Sequence, residues 1–315
     1  MKFYGIILAG IFLSLPVFAR AGETKMLQVQ NTVGDILKQP EFKGFAQKIL
    51  PWNDAGENNP ETKISDIGRL MPYHNNIVPD DVVKPLNYLI NEVRKGNKVF
   101  YDIYPDEDKR KQNTGIFFFR GKPNAPFAII CPGGGFAYVG SLHEGFPPAL
   151  ELSKKGYNAF VVKYRGGSPD WAMQDLARAV GYIFAHADSL NVDVKHYSVW
   201  GGSAGARMAA YIGSYGVKAF GGGDLPSPAA VIMAYTGHGD FTPRQPPTFM
   251  VVGENDRIAD PQAMKRRAEN LNKAGIKTEF HHYPNLGHGF GLGTNTSAAG
   301  WLDAAVAFWA DVAKR

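Results

Sequence analysis

Ser203 stands among small residues in Gly201-Gly202-Ser203-Ala204-Gly205, a G-x-S-x-G run. A serine hydroxyl is a weak nucleophile by itself and becomes an acyl-transfer nucleophile when a neighbouring base takes its proton. The flanks favour that use. Lys195 to Trp200 (KHYSVW) reads as a short strand rich in β-formers, and Ala204 to Tyr211 (AGARMAAY) reads as a helix. A serine on so tight a strand-to-helix turn presents its hydroxyl above the sheet edge. The residues two before and two after it must lack bulk, hence Gly201 and Gly205. At the helix N-terminus the N–H of Ala204 has no intrahelical partner, so it can hold a developing oxyanion. Gly, Ser and Ala also build ordinary turns, so the motif gains meaning from what accompanies it.

The other parts of an acyl-transfer site follow along the chain. Ala125 to Cys131 (APFAIIC) is a continuous apolar run of buried-strand type, and it leads into Pro132-Gly133-Gly134-Gly135-Phe136. Three successive glycines after a buried strand cost backbone entropy, so they mark a need for unusual dihedrals or close approach. The N–H groups of Gly134 and Gly135 are expected to join that of Ala204 in an oxyanion hole. Pro247 to Gly253 (PTFMVVG) is another buried strand and ends in Glu254-Asn255-Asp256-Arg257-Ile258. Lys277 to Tyr283 (KTEFHHY) is a strand followed by Pro284-Asn285-Leu286-Gly287-His288-Gly289-Phe290. Of the eight histidines, His288 is the one in a Gly-bounded turn after the last strand; His281 and His282 lie inside that strand and read as sheet-surface residues. Asp256 competes with Glu254 and Asp260 as the acid. A three-residue step past Gly253 clears the strand end, and Asp260 before Pro261 reads as a helix start. In this order Ser203 would attack an acyl carbonyl, His288 would carry its proton to the leaving group, and Asp256 would fix the imidazole. Phe136, Tyr138, Tyr235 and Phe290 flank these groups and are expected to wall the acyl pocket.

The elements that must carry these residues alternate in type. KVFYDIY (98–104) and TGIFFFRG (114–121) read as a hairpin around the mixed-charge stretch 105–113. Phe146 to Lys155 is helical, Asn158 to Tyr164 a buried strand, and Ser168-Pro169 opens a helix expected to run to Leu190. Ala229 to Tyr235 is a strand, a helix follows Pro261, and Ala298 to Lys314 closes the chain as a helix. The pattern predicts an α/β protein with a mostly parallel central sheet and helices on both faces over 97–315. Residues 22–96 differ in texture. Pro40, Pro51, Pro60, Pro72, Pro79 and Pro85 punctuate short helical pieces there, with NYLINEVRK (87–95) the clearest helix. They read either as a wrap on the sheet or as a cap over the site. The connection 237–246 holds no large apolar lid, which favours soluble short-acyl esters.

Residues 1–21 read as a secretory signal. Lys2 is the basic start, Phe3 to Phe18 the apolar run, and Ala19-Arg20-Ala21 an A-x-A cleavage site, so a periplasmic or secreted protein cut after Ala21 is expected. The run is short for a membrane span, so no membrane association is expected after cleavage. Loss of Lys2 and Arg20 takes the formal charge from +5 to +3, too small an excess to suggest nucleic acid. With one cysteine, Cys131, no intramolecular disulfide can form, and its place in an apolar strand suits a small buried hydrophobe. Neither metal-ligand spacing nor a phosphate-binding loop is present, so no metal and no cofactor are expected. The oligomeric state stays open.

CPGGGFAYVG (131–140), GYNAFVVKYR (156–165), GGSAG (201–205), GENDRI (253–258) and NLGHGFG (285–291) together resemble the acetyl esterase and acetylxylan-esterase-like group of α/β-hydrolases, related to hormone-sensitive-lipase-like esterases. The resemblance covers about residues 98 to 315. The lipase-like relatives usually begin the oxyanion motif with His where this chain has Pro132, and relatives with Pro there resemble sugar-acetyl esterases. The resemblance implies a serine carboxylic-ester hydrolase acting on short, mainly acetyl, esters of small molecules or carbohydrate. Two other readings stay open: a serine exopeptidase of the same fold, and a non-catalytic binding member.

Overall fold

The computed structural model describes Met1 and residues 25–105 and 109–314. Apart from Met1, the expected signal segment lies outside the described residues. Eight strands form one sheet: β1 (Phe100–Tyr101), β2 (Gly115–Phe119), β3 (Ala125–Cys131), β4 (Asn158–Lys163), β5 (Val192–Gly202), β6 (Ala230–Ala234), β7 (Thr248–Gly253) and β8 (Thr278–Tyr283). Their order is β1-β2-β4-β3-β5-β6-β7-β8. β1 and β2 pair antiparallel, and every neighbour pair from β4 to β8 is parallel. Parallel strands covered on both faces read as unbroken apolar runs, as β3, β6 and β7 do.

Side-chain alternation shows how the faces are covered. Phe117 and Phe119 meet Phe146, at ring distances of 4.8 and 5.7 Å, on one side. Phe118 turns to the other side and stacks on Phe160 at 4.3 Å. Phe146 opens helix α4 (Phe146–Lys154). On the opposite face α5 (Pro169–Ala185) sends Phe184 against Phe127 and Tyr182 against Tyr101. Ser168 caps α5, accepting from Trp171 N–H with Pro169 at the first position. Three further helices complete the cover: α7 (Ala204–Tyr215) packs on β5 and β6, α8 (Pro261–Lys273) on β7 and β8, and α9 (Trp301–Val312) on β6 and β7.

Some boundaries differ from expectation. The strand expected over 98–104 shrinks to two residues, because Asp102 Oδ1 turns the chain by accepting from Tyr104 N–H and Ile103 O is taken by Arg178. The helix expected to Leu190 breaks at His186, whose backbone leaves helical geometry and whose ring takes Tyr182 O; α6 (Ala187–Leu190) follows. The last helix starts at Trp301, because Gly300 before it is left-handed.

The segment before the sheet is more helical than its prolines suggest. After α1 (Val33–Lys38) and α2 (Ala46–Ile49), α3 runs from Pro79 to Arg94 with Pro85 inside it. Pro79 opens the helix where its missing N–H costs nothing. Pro85 is tolerated because α3 buries Val82, Leu86, Leu89 and Ile90. These residues share one hydrophobic core with the sheet. A buried lysine fastens the same segment: Lys163, at the end of β4, donates to Leu50 O (2.7 Å) and Pro51 O (3.0 Å). Burial brings its ammonium down to about 7. No described helix is long and apolar enough to cross a membrane.

Candidate active site

β5 runs straight into α7 through Ser203, whose backbone is held at φ 52° and ψ −116°. A positive φ on a non-glycine residue is strained and persists where the surroundings over-determine it. Here the constraint is steric. A Cβ on Gly201 would lie 2.2 Å from Gly205 backbone, and one on Gly205 would lie 1.9 Å from Cys131 O. Ser203 N–H is fixed by Ala234 O at 2.9 Å.

Ser203 Oγ lies 2.9 Å from His288 Nε2, and His288 Nδ1 lies 2.7 Å from Asp256 Oδ2. The second Asp256 oxygen accepts from Ile258 N–H (2.9 Å) and Ala259 N–H (2.8 Å), which fixes the carboxylate in its own loop. Asp256 and His288 are buried, while Ser203 is half-exposed. The competing acids are placed elsewhere. Glu254 is exposed and accepts from Asn285 N–H, and Asp260 caps α8. His281 and His282 lie in β8, at the sheet edge. The arrangement can pass a proton from a serine hydroxyl to a carboxylate-oriented imidazole.

The glycine loop lies across the turn from Ser203. Gly134 has φ 134°, and a Cβ there would meet Tyr138 O at 2.2 Å, so only glycine fits. Gly133 N–H donates to Glu144 Oε2 at 2.6 Å. Among the described residues nothing accepts from the N–H groups of Gly134, Gly135 or Ala204. Gly135 and Ala204 line the same open cleft as Ser203.

Behind this loop is a buried polar cluster that the sequence reading missed. Glu144 is 5 % exposed, in a π-helical turn (Ser141–Gly145) that precedes α4. His74 Nε2 stands 3.1 Å from Glu144 Oε1, off the line of a hydrogen bond. Burial alone would push the Glu144 carboxyl up; the His74 and His143 charges and Gly133 N–H outweigh it and hold the group at about 2. His74 Nδ1 lies 2.8 Å from the Tyr138 hydroxyl, which accepts from Tyr73 N–H at 3.0 Å. His143 Nε2 donates to Gly289 O at 2.9 Å, and burial then the His74 charge bring its imidazole down to about 4. Asn75 completes the contact, donating from Nδ2 to His288 O (3.0 Å) and from its backbone to Gly289 O (3.0 Å). The one trace of this cluster in the sequence is a His-Glu pair inside the apolar run LHEGFPPAL (142–150).

The four aromatics expected in the acyl pocket separate. Phe136 is half-exposed and lines the cleft with Ser203. The other three do not line it, and the expectation is corrected. Tyr138 is 1 % exposed, because its hydroxyl is engaged by Tyr73 and His74. Tyr235 is 2 % exposed, since its φ of 38° folds the ring beneath His288 at 5.2 Å. Phe290 is fully buried against Tyr235 at 4.6 Å. Tyr235, backed by Phe290, supports the His288 ring, whereas Tyr138 packs against Trp52, Tyr73 and His74. The cleft has a volume of about 550 Å³ and is otherwise walled by Arg207, Tyr211, the short connection from Thr236 to Asp240, and Ile258 and Ala259.

Comparison with known proteins divides the chain in two. The BD-FAE family profile matches residues 119–223, which include the glycine loop and Ser203. The prolyl oligopeptidase family profile matches residues 227–315, which include Asp256 and His288. An acetylxylan esterase of Xylanibacter ruminicola is 20% identical over 210 residues, 57% of this chain and 44% of that protein. The chain spans less than half the length of the curated relatives it matches. An acetyl ester-xyloside bifunctional hydrolase from Caldicellulosiruptor lactoaceticus superposes with a TM-score of 0.60 at 19% identity, over 68% of this chain and 96% of that one. MGS-M1, an alpha/beta hydrolase enzyme from a deep-sea metagenome library, superposes with a TM-score of 0.58 at 21% identity, over 69% of this chain and 97% of that one.

Proposed function

The chain has the α/β-hydrolase fold, and from that premise we propose that it is a serine carboxylic-ester hydrolase that removes short acyl groups, acetyl foremost, from carbohydrate or small-molecule esters. The observation that carries the reading is the continuous hydrogen-bonded line from Ser203 through His288 to Asp256. Ser203 Oγ attacks the acyl carbon while His288 Nε2 takes the hydroxyl proton. The charge developing on the carbonyl oxygen is met by the N–H groups of Gly134, Gly135 and Ala204. His288 then gives the proton to the departing alkoxide, leaving Ser203 acylated. Water repeats the sequence: its proton goes to His288, its oxygen to the acyl carbon, and the proton returns to Ser203 as the acid leaves. Asp256 holds Nδ1–H throughout and stabilises the imidazolium. The acetylxylan esterase among the relatives supports a carbohydrate ester as substrate.

With three of the four expected rings below the surface, the short-acyl reading rests on Phe136 and the short β6–β7 connection. The test is hydrolysis of nitrophenyl esters from acetate to laurate, and of acetylated xylan, with Ser203→Ala as control. Release of acetate from xylan, with nitrophenyl rates falling toward laurate, supports the reading; rates rising toward laurate contradict the short-acyl part. The prolyl oligopeptidase match over 227–315 favours a second reading, a serine exopeptidase. Dipeptidyl nitroanilides cleaved faster than nitrophenyl acetate would establish it. The leader at 1–21 supports export, and a mature protein beginning at Gly22 would bear that out.

A further inference from the structure

One wall of the Ser203 cleft carries Arg207, with Asp240 its single acidic side chain among the described residues. Arg207 lies one turn beyond Ser203 on α7, its backbone N–H on Ser203 O at 3.3 Å. Its guanidinium lies over the Tyr211 ring, 5.2 Å from the centroid, and Nη2 donates to the Tyr211 hydroxyl at 3.2 Å. Arg207 Nε is buried with no partner. Behind it Arg267 is 1 % exposed, donates to Asp240 O, and leaves Nε and Nη2 unpartnered. Among the described residues no acidic side chain forms an ion pair with either arginine; Asp175 is held by Arg165 and Asp260 by Arg266. His238 packs edge-on to Tyr211 at 4.7 Å, and its Nε2 also lacks a partner. Burial and the Arg267 charge bring its imidazole down to about 4, so at neutral pH it adds hydrogen-bonding capacity without charge. The one acidic side chain on this wall, Asp240, is exposed.

Arg207 on the wall and Arg267 buried behind it, against the single exposed Asp240 carboxylate whose charge also acts on Arg267, leave this side of the cleft electropositive. Arg207 is half-buried, with Nε unpartnered and, among the described residues, no carboxylate paired with its guanidinium, so an anion entering the cleft completes its pairing. The planar guanidinium fork of Arg207 matches a carboxylate in shape and charge, and Tyr211 and His238 supply further polar atoms around it. We propose that this wall is a carboxylate subsite, so that the preferred substrates are esters carrying a carboxylate within reach of Arg207. The inference rests on the ester-hydrolase reading and narrows its substrate class. The carboxylate has two chemical sources: a uronic acid on the alcohol side, or the free end of a dicarboxylic acyl group.

The test compares kcat/KM of the wild-type protein within two matched pairs at low and high salt. One pair is an acetylated methyl glucuronoside and the corresponding glucoside; the other is nitrophenyl hemisuccinate and nitrophenyl butyrate. The anionic member of one pair should be preferred by about 10-fold or more, chiefly through KM. The preference should shrink as salt rises. The pair that shows it identifies the source. Arg207→Gln should reduce the preference to less than about 3-fold, and Arg207→Lys should keep part of it. Equal rates within both pairs, or a preference for the neutral members, overturns the subsite and leaves ester hydrolysis standing. A folded protein that cleaves none of the four esters overturns the hydrolase reading, and the subsite with it.

Discussion

Two regions of the molecule meet at His288, and they hold it by different means. The sheet side places Ser203, Asp256 and His288 at the ends of β5, β7 and β8, so short covalent connections do the positioning. The N-terminal side, residues 71–75, contributes no group to the proton line. It holds the backbone around it: Asn75 on His288 O and Gly289 O, and His74 on the carboxylate that anchors Gly133. Chemistry on one side therefore depends on strand ends, and on the other on buried polar contacts made by a segment far away in the chain. Changes on the first side should abolish turnover with little loss of fold. Changes on the second should loosen the fold first and turnover as a consequence.

The largest effect is expected on the sheet side. Ser203→Ala and His288→Ala should each lower kcat/KM on an activated ester by about 10⁴-fold or more, with melting temperatures near wild type, because such residues act as a unit. A mutant with a tenth of wild-type activity breaks the comparison. Asp256→Asn should also be severe; a worse effect from Glu254→Gln would move the acid.

The junction itself comes next. Glu144→Leu leaves His74 and Gly133 N–H without their partner, and stranding a buried hydrogen-bonding group costs about 1–3 kcal/mol. Urea unfolding should register that loss, and ester turnover should fall as the glycine loop loses the carboxylate that fixes Gly133 N–H. Unchanged stability would mean that the cluster does not join the two regions.

Acid should separate the regions in a defined window. His143 is held at about 4, below the ordinary 6.5, so the unfolded chain binds its proton first and stability falls as pH drops from 6.5 to about 4. Glu144 is held at about 2, below the ordinary 4.5, and its contribution, present above 4.5, is lost as pH falls toward 2. Lys163 acts at the other end. Its folded value of about 7 lies below the ordinary 10.5, so the unfolded chain holds the proton longer and stability rises with pH between 7 and 10.5. Denaturation curves across pH should show both slopes, and Lys163→Met should remove the alkaline one.

The smallest effect is expected from Asn75→Ala. It removes one hydrogen bond to His288 O, worth about 0.5–1.5 kcal/mol of stability, and should reduce kcat only modestly. A 10³-fold loss of kcat would place Asn75 in the reacting machinery and blur the distinction between the regions.

How far the sequence carried the reading follows the same division. The G-x-S-x-G turn, the glycine loop and the Gly-bounded His288 each follow a strand, so their places could be read from local pattern, and Asp256 could be told from Glu254 by its distance past Gly253. The burial of Tyr138, Tyr235 and Phe290 could not. Tyr235 turns under His288 through a φ of 38°, a conformation rare for tyrosine. Tyr138 is drawn inward by Tyr73 and His74, partners more than sixty positions away. Glu144 and His74 likewise acquire a role only through a long-range contact. Pro85 read as a break, yet α3 continues through it because its apolar face is buried.

The central claim is that Ser203 is a nucleophile activated by His288. Fluorophosphonate labelling followed by peptide mass analysis tests it most directly. The folded wild-type protein should take up one equivalent on the peptide containing Ser203, Ser203→Ala should take up none, and His288→Ala should react far more slowly. A folded wild-type protein that stays unlabelled, or that labels on another residue, would contradict the account.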